Sequence, residues 1–415
     1  MSCSKRAARR LGLLTTLGIG ACSGQSQAEK LTPPEVEVST NALPQVLNLV
    51  AEARGDEYVL SFDVLDDDAW VGVAVFGKRA GEADFSDVSS SLSGDVGEKV
   101  AVGVAKSIVA PGLAEYAELE LRVTDLEAFR QDVVQAVSAD RIRHDVEQLT
   151  GVRHHSSPAL LEETRRYIQA EFRRFQLQAS HQDFVWRTIS ALNLIGRHRG
   201  EASDGGTVIV CAHFDSIATT PGADDNASGT AGVLEAMRVL SQYGFENSID
   251  FIGFDLEEHG LVGSKRYVSE VVGGQKIFGV FNFEMIGYPC RSDECKHLSL
   301  PDTSILNIAL PKFGALRRMF DANGARYVPD LDIRSVEADS NPNFLRSDHA
   351  PFWTANIPAL FITDGANFRN PHYHQESDTP ETLDFEFARN IVATTVLTVM
   401  DLARVKRTTA VGFEL

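Results

Sequence analysis

Thr207-Val208-Ile209-Val210-Cys211-Ala212 is an almost wholly apolar run, Ala359 to Ile362 repeats it, and Val280 to Phe283 is broken only by Asn282. Ile249 to Phe254 does the same, broken only by Asp250. A strand that is apolar on nearly every residue has no face for water, so it is buried on both sides, as in parallel sheets covered by helices. Helical spacing fills the intervals, from Ser228 to about Tyr243 and from near Gly263 to Val272. Ahead of them, Leu161, Thr164, Ile168, Phe172 and Phe175 form one stripe behind Ser157-Pro158, a cap followed by a first-turn proline. Residues 126–415 are therefore expected to fold as an α/β domain, layered, with a largely parallel central sheet flanked by helices. In such sheets, binding sites form at the carboxyl ends of the strands.

The preceding region has a different period. Tyr58, Leu60, Phe62 and Val64 alternate with other residues, as do Val71, Val73 and Val75, and later Leu119, Leu121 and Val123. Period two buries one face only, which predicts a small, mostly-β unit over 45–125. It contains no histidine and no cysteine. It reads as an accessory region: a binding module, or a pro-region that covers the site until cleaved. Residues 22–44 are a polar, proline-containing linker.

Residues 1–21 read as a leader: basic Lys5, Arg6, Arg9 and Arg10 precede an apolar run, Leu11 to Ala21, too short to span a bilayer. The run closes Ile19-Gly20-Ala21-Cys22, which resembles a bacterial lipobox with Cys22 as the lipidated new N-terminus. The expectation is export, to a lipid-anchored place in the bacterial envelope or periplasm, with an ordinary signal peptide and secretion as the alternative. The formal net charge of -19 disfavours nucleic acid and anionic lipid as partners, leaving membrane contact only through such an anchor. In an oxidising compartment Cys290 and Cys295, four residues apart in between, are expected to close a small disulfide loop, while Cys211 is a buried thiol.

The ends of the apolar runs carry the chemistry. The first closes on His213-Phe214-Asp215, where extended alternation puts His213 and Asp215 on one side. Asp215 is then placed to hold the second ring nitrogen of a ligating imidazole. Twelve positions after His213 stands Asp225, in Gly222-Ala223-Asp224-Asp225-Asn226-Ala227-Ser228-Gly229, which leads into a helix whose positive end suits a carboxylate. The next run closes on Asp255-Leu256-Glu257-Glu258-His259. Adjacent carboxylates are costly unless they have separate work, with Glu258 a metal ligand and Glu257 a general base facing water. Asn282-Phe283-Glu284 places another acid at a strand end, and His372-Tyr373-His374 comes late in the chain, after Arg346-Ser347-Asp348.

In this order, over about residues 135 to 405, these motifs resemble the secreted di-zinc aminopeptidases, whose wider family includes glutamate carboxypeptidase and glutaminyl cyclase. The resemblance implies two zinc ions, with manganese or cobalt as substitutes. His213, Asp225 and Glu284 would hold one; Asp225, Glu258 and His374 the other, with Asp225 bridging. Asp225 is taken over Asp224 because it directly precedes Asn-Ala-Ser-Gly, and His374 over His372 because it stands four residues before Asp378-Thr379. Glu284 departs from the aspartate usual in that branch. By the same resemblance Glu257 is the general base, Tyr373 a donor to the oxyanion, and Arg346 and Asp348 candidates for lining the substrate cleft. The implied activity is hydrolysis of peptides from their N-termini. A carboxypeptidase or glutaminyl cyclase on the same scaffold, or a non-catalytic binding protein, is the alternative.

Overall fold

The computed structural model describes residues 126–202 and 204–406, and before them strand segments between 14 and 125; Cys22 lies outside the described residues. The chain divides into two compact units, Met1–Asp132 and Val133–Leu415. The boundary falls within helix α1 (Leu126–Ala136), seven residues beyond the change of period in the sequence.

Ahead of α1 the first unit is β in its described segments, and every pairing among them is antiparallel. Gln45–Arg54, Glu57–Leu65, Gly103–Pro111 and Ser93–Gly94 form one sheet in that order. The second contains Leu14–Gly18, Glu118–Asp125, Trp70–Lys78 and Ser86–Asp87, with Gly97–Ala101 also on the third of these. Leu14–Gly18, part of the segment read as a leader, thus serves as an edge strand.

The second unit is built on eight strands: β1 (Gln178–Trp186), β2 (Ile189–His198), β3 (Thr207–His213), β4 (Ser248–Phe254), β5 (Ile277–Glu284), β6 (Ile305–Ala309), β7 (Ile333–Glu337) and β8 (Ala359–Thr363). They lie in the order β1-β2-β4-β3-β5-β8-β6-β7. The four central strands, β4, β3, β5 and β8, run parallel. They are the apolar runs of the sequence, and every residue of β3 and β8 is buried. Antiparallel β1, β2 and β6 extend the sheet on its two sides.

Helices cover the sheet: α2 (Ala139–Leu149), α3 (Pro158–Arg174), α4 (Gly229–Leu240), α5 (Val262–Glu270), α6 (Gly314–Tyr327), α7 (His349–Thr354) and α8 (Phe385–Ala403). α3 begins at its proline and buries Leu161, Thr164, Ile168 and Phe172 of the expected stripe, while Phe175 falls at the C-cap and is only partly buried. Ser157 stands at the N-cap position, yet its hydroxyl makes no capping bond, because its backbone (φ -118°, ψ 61°) is not the extended form that aims a cap. α4 and α8 are apolar nearly all round and bury almost every residue. The parallel registers align the strand ends: His213 lies opposite Phe254, and Glu284 opposite Thr363. Three polar termini therefore emerge side by side at one edge of the sheet.

A two-histidine carboxylate site at the carboxyl ends of the strands

His213 ends β3, the Asp255–Glu258 segment follows β4, and Glu284 ends β5. Asp225 comes from the turn between β3 and α4, and His374 from the loop between β8 and α8. Donor atoms of His213, Glu257 and Glu284 converge in one group, and those of Asp225, Glu258 and His374 in a second. Asp225 joins the groups: Oδ1 lies 3.4 Å from His213 Nε2, and Oδ2 lies 3.1 Å from His374 Nε2. Glu284 approaches His213 Nε2 to 3.4 Å and Glu257 approaches it to 4.0 Å, while Glu258 lies 3.4 Å from His374.

Water barely reaches four of these groups, while Glu258 and His374 are partly exposed. His213 and Asp225 are 1% and 2% exposed, and Glu257 and Glu284 are each 8% exposed. Burial pushes the Glu257 carboxyl well above its ordinary range, with Glu284, Asp348 and Glu258 adding to the push, and lifts Glu258 to about 7. Burial opposes the ionisation of Asp225 too, but the two histidines hold it below the usual carboxylate range. Burial likewise disfavours a charged His374, which Asp225 and Glu258 nevertheless raise to about 10. Glu258 Oε1 and His374 Nε2 are buried without a directed hydrogen bond. So many carboxylates and imidazole nitrogens, facing one another rather than ordinary donors, suit a cation. The nitrogen-and-oxygen set without thiolate suits zinc.

The supporting shell explains why these side chains converge. The Asp215 carboxylate was expected on the His213 ring. It lies 3.4 Å from Nδ1, which is closer to the Asp215 carbonyl oxygen at 3.1 Å. The carboxylate mainly accepts the amides of Glu257 at 3.0 Å and Glu258 at 3.2 Å, fixing the paired glutamates. Asp224 faces away from the centre, accepting from Gly287 N–H at 2.9 Å and Asn370 Nδ2 at 2.7 Å. Asp378 accepts from the amides of Asp224 and Asp225 at 2.8 Å and 3.1 Å, steadying that turn. Asn226 bonds the Phe283 carbonyl and accepts from Met285 N–H, tying the same turn to the end of β5. His372 stands outside, with Nδ1 2.9 Å from Ser377 Oγ.

Two contributors were not legible in the sequence. Arg153 is wholly buried and donates to the carbonyls of Phe214, Leu149, Gly151, Pro221 and Gly222. Gly222 has φ +67°, and a Cβ there would stand 2.5 Å from the Asp225 oxygen and 2.7 Å from Arg153 Nη2. Ser347 donates to Glu284 Oε2 at 2.5 Å and accepts from Asn282 Nδ2 at 2.8 Å. Its flanks, Arg346 and Asp348, carried the motif, and the hydroxyl between them holds the acid. Leu256 (φ 57°), Met285 (φ 53°) and His374 (φ 59°) all adopt the left-handed region beside or at the site, where side chains strain the backbone.

A cleft of about 360 Å³ opens onto Asp225, Glu257, Glu258 and Glu284, and Arg346, Lys265 and Tyr373 also line it. Arg346 Nη2 donates to Tyr373 Oη at 3.1 Å, and the Tyr373 ring stacks on His374 with centroids 3.9 Å apart. Asp348, expected in the cleft, is instead wholly buried and lines no part of it. Its place at the buried N-terminal end of α7 turns the carboxylate inward, where burial lifts it to about 7. A second cavity of about 350 Å³ shares Glu284, Arg346 and Tyr373 with the cleft. Leu300, Leu306, Ile308, Val336, Phe361 and Phe368 give it an apolar wall. Nearby, Cys290 and Cys295 are joined by a disulfide, as the spacing predicts, and Cys211 is a buried free thiol.

The sequence profile described as Peptidase family M28 matches residues 193–399. The chain is 32% identical over 213 residues to the uncharacterized protein YfbL of Escherichia coli K12, covering 46% of this chain and 65% of that one. It is 31% identical over 199 residues to a probable leucine aminopeptidase of Arthroderma benhamiae, covering 44% of this chain and 50% of that one. The chain thus spans between half and two thirds of these relatives' own length. Among solved structures, the LapA aminopeptidase of Legionella pneumophila is similar at a TM-score of 0.57 and 21% identity, over 67% of this chain and 75% of that one. An aminopeptidase from Aneurinibacillus sp. strain AM-1 is similar at a TM-score of 0.54 and 15% identity, over 69% of this chain and 98% of that one. Both likenesses speak to the fold alone. The unit that carries the strand-end site, and with it the chain, belongs to peptidase family M28.

Proposed function

We propose that the second unit is a zinc-dependent aminopeptidase that releases apolar residues from the N-termini of peptides. The observation that carries the reading is Asp225, whose two carboxylate oxygens point one at each histidine. That arrangement fits a ligand bridging two ions. His213 and Glu284 complete one set of donors, and Glu258 and His374 complete the other. Two zinc ions, when bound, would supply Lewis acidity that polarises a scissile carbonyl and acidifies a water. Glu257 would take that water's proton and deliver it to the leaving amine. Arg346 donates to the Tyr373 oxygen, which leaves the phenolic proton free to be donated to the developing oxyanion. The apolar cavity beside the cleft favours leucine- or phenylalanine-like side chains on the residue to be released.

The test pairs elemental analysis with a panel of peptides that differ in their first residue, each with a free and an acetylated N-terminus. Two zinc ions per chain and cleavage of only the free peptides, fastest for apolar first residues, is the expected result. One zinc ion with cyclisation of N-terminal glutamine would move the reading to a glutaminyl cyclase. Indifference to acetylation would remove the aminopeptidase. Export with a lipid on Cys22 belongs to the same proposal, and labelling of the expressed chain with a fatty-acid analogue tests it. Loss of label in Cys22→Ser is expected; a label that persists there would refute the anchor.

A further inference from the structure

A second histidine-rich cluster lies outside the strand-end site. His154 and His155 follow the buried Arg153, and His259 follows Glu258; all three are partly exposed. Ring nitrogens of the three lie within 4.8 Å of one another. His155 Nδ1 and His259 Nε2 are 3.1 Å apart. Two nitrogens bound to one tetrahedral zinc ion at ~2.05 Å each would stand about 3.3 Å apart. The pair is therefore already spaced almost as an ion would space it. The His154 ring lies 3.8 Å from that of His155 and 5.4 Å from that of His259, centroid to centroid, so a ring rotation brings in the third nitrogen.

The surroundings hold these rings in place. The Arg153 amide donates to Ser216 Oγ at 3.0 Å, and the amides of Glu257 and Glu258 donate to Asp215, so both segments hang from the same β3 extension. Ser156 meets His154 Nδ1 with its hydroxyl at 2.7 Å and its amide at 3.2 Å. The amide donates to Nδ1, so for Nε2 to take a metal the ring proton moves to Nδ1 and onto the Ser156 hydroxyl, giving up the longer amide contact. Trp186 covers the His259 ring at 5.1 Å and shields one side of the cluster from water. Arg187 lies over that indole, 4.4 Å from its centroid, and its charge acts on His259 against that of the Asp215 carboxylate.

We propose that His154, His155 and His259 form a separate site for a divalent transition-metal ion of the imidazole-preferring kind, Zn²⁺ or Cu²⁺, with its fourth position open to solvent. It is independent of the strand-end centre in its donors, sharing none of the five residues there. An ion in it ties the 154–155 turn to the segment that carries Glu257 and Glu258. Three imidazoles without carboxylate bind copper(II) more tightly than zinc, which gives the site a spectroscopic handle.

The experiment takes the untagged full chain, loaded with zinc and freed of excess, and titrates it with Cu²⁺ under electron paramagnetic resonance. The expected result is one Cu²⁺ per chain, with hyperfine splitting from three imidazole nitrogens and no release of zinc. Each half of the strand-end centre contains one histidine, so a one-nitrogen spectrum with zinc release would overturn the proposal. So would the absence of stoichiometric binding. The double variant His154→Ala, His155→Ala should lose that one equivalent while keeping its zinc and its rate; unchanged copper binding would also overturn it. If the variant fails to fold, the wild-type spectrum still decides. A chain that takes copper on three nitrogens but holds no zinc elsewhere would sink the peptidase reading and leave this one standing.

Discussion

At the scale of single residues, the site is a set of acids with divided work. Glu257 and Glu258 are neighbours in sequence, yet Glu257 faces His213 and Glu258 faces His374. Replacing Glu257 with Gln keeps size and packing but removes the base. A fall in kcat of about 10²–10⁴-fold is expected, with metal content equal to wild type by elemental analysis. Loss of metal together with activity would make Glu257 a ligand instead. Ser347 acts one step back, through Glu284. Ser347→Ala strips the acid of a donor at 2.5 Å and leaves Asn282 Nδ2 without its acceptor. Outer-shell losses of this kind cost roughly 10–100-fold in metal affinity. Competition with a chromogenic chelator should read that drop; an unchanged affinity would mean that Glu284 needs no positioning. The sequence makes His213, Glu257, Glu258 and Glu284 visible because they close apolar runs, and Asp225 and His374 through the motifs around them. It leaves Ser347 and Arg153 unremarked, since a serine or arginine in a loop is ordinary until its partners are known.

At the scale of elements, the second unit is held by helices whose buried faces also carry charge. Asp145 on α2 is 1% exposed, and Tyr167 of α3 donates to it at 2.6 Å. Burial raises its carboxyl from 3.8 to about 6, against the pull of Tyr167 and Arg141. A proton held more tightly in the folded chain than in the unfolded one stabilises most below the unfolded pKa. That contribution is lost as pH climbs from about 4 through about 6. Asp145→Asn, which keeps an acceptor for Tyr167, should therefore be more stable than wild type at pH 7, by up to about 3 kcal/mol. The two should converge near pH 4. Denaturant melts at the two pH values measure the difference, and a gap that did not narrow with acid would contradict the linkage. The same element scale explains the turn after β3. Arg153 binds five carbonyls around it and Gly222 supplies the positive φ, so Asp225 is aimed by backbone contacts rather than by its neighbours in sequence.

At the scale of the whole molecule, every donor of the strand-end site comes from the second unit, and the M28 match lies within it. A chain beginning at Leu126 is expected to retain zinc and to hydrolyse peptides within about twofold of the full chain's kcat/KM, which steady-state kinetics would read. A marked rise on removal of the first unit would instead identify that unit as a cover over the cleft. The nearly continuous apolar runs were enough to determine the parallel core. A strand buried on both faces can be satisfied only inside a covered sheet, and that sheet presents its strand ends on one edge. Motif order singled out His213, Asp225, Glu258, Glu284 and His374, whose side chains the fold brings together. Tertiary structure alone decided which way the remaining groups turn. Asp348 is drawn inward with α7, the Asp215 carboxylate is spent on the amides of Glu257 and Glu258, and His259 comes within one ion's reach of His154 and His155, more than a hundred residues earlier in the chain. Such placements rest on contacts between distant segments, and no local spacing encodes them.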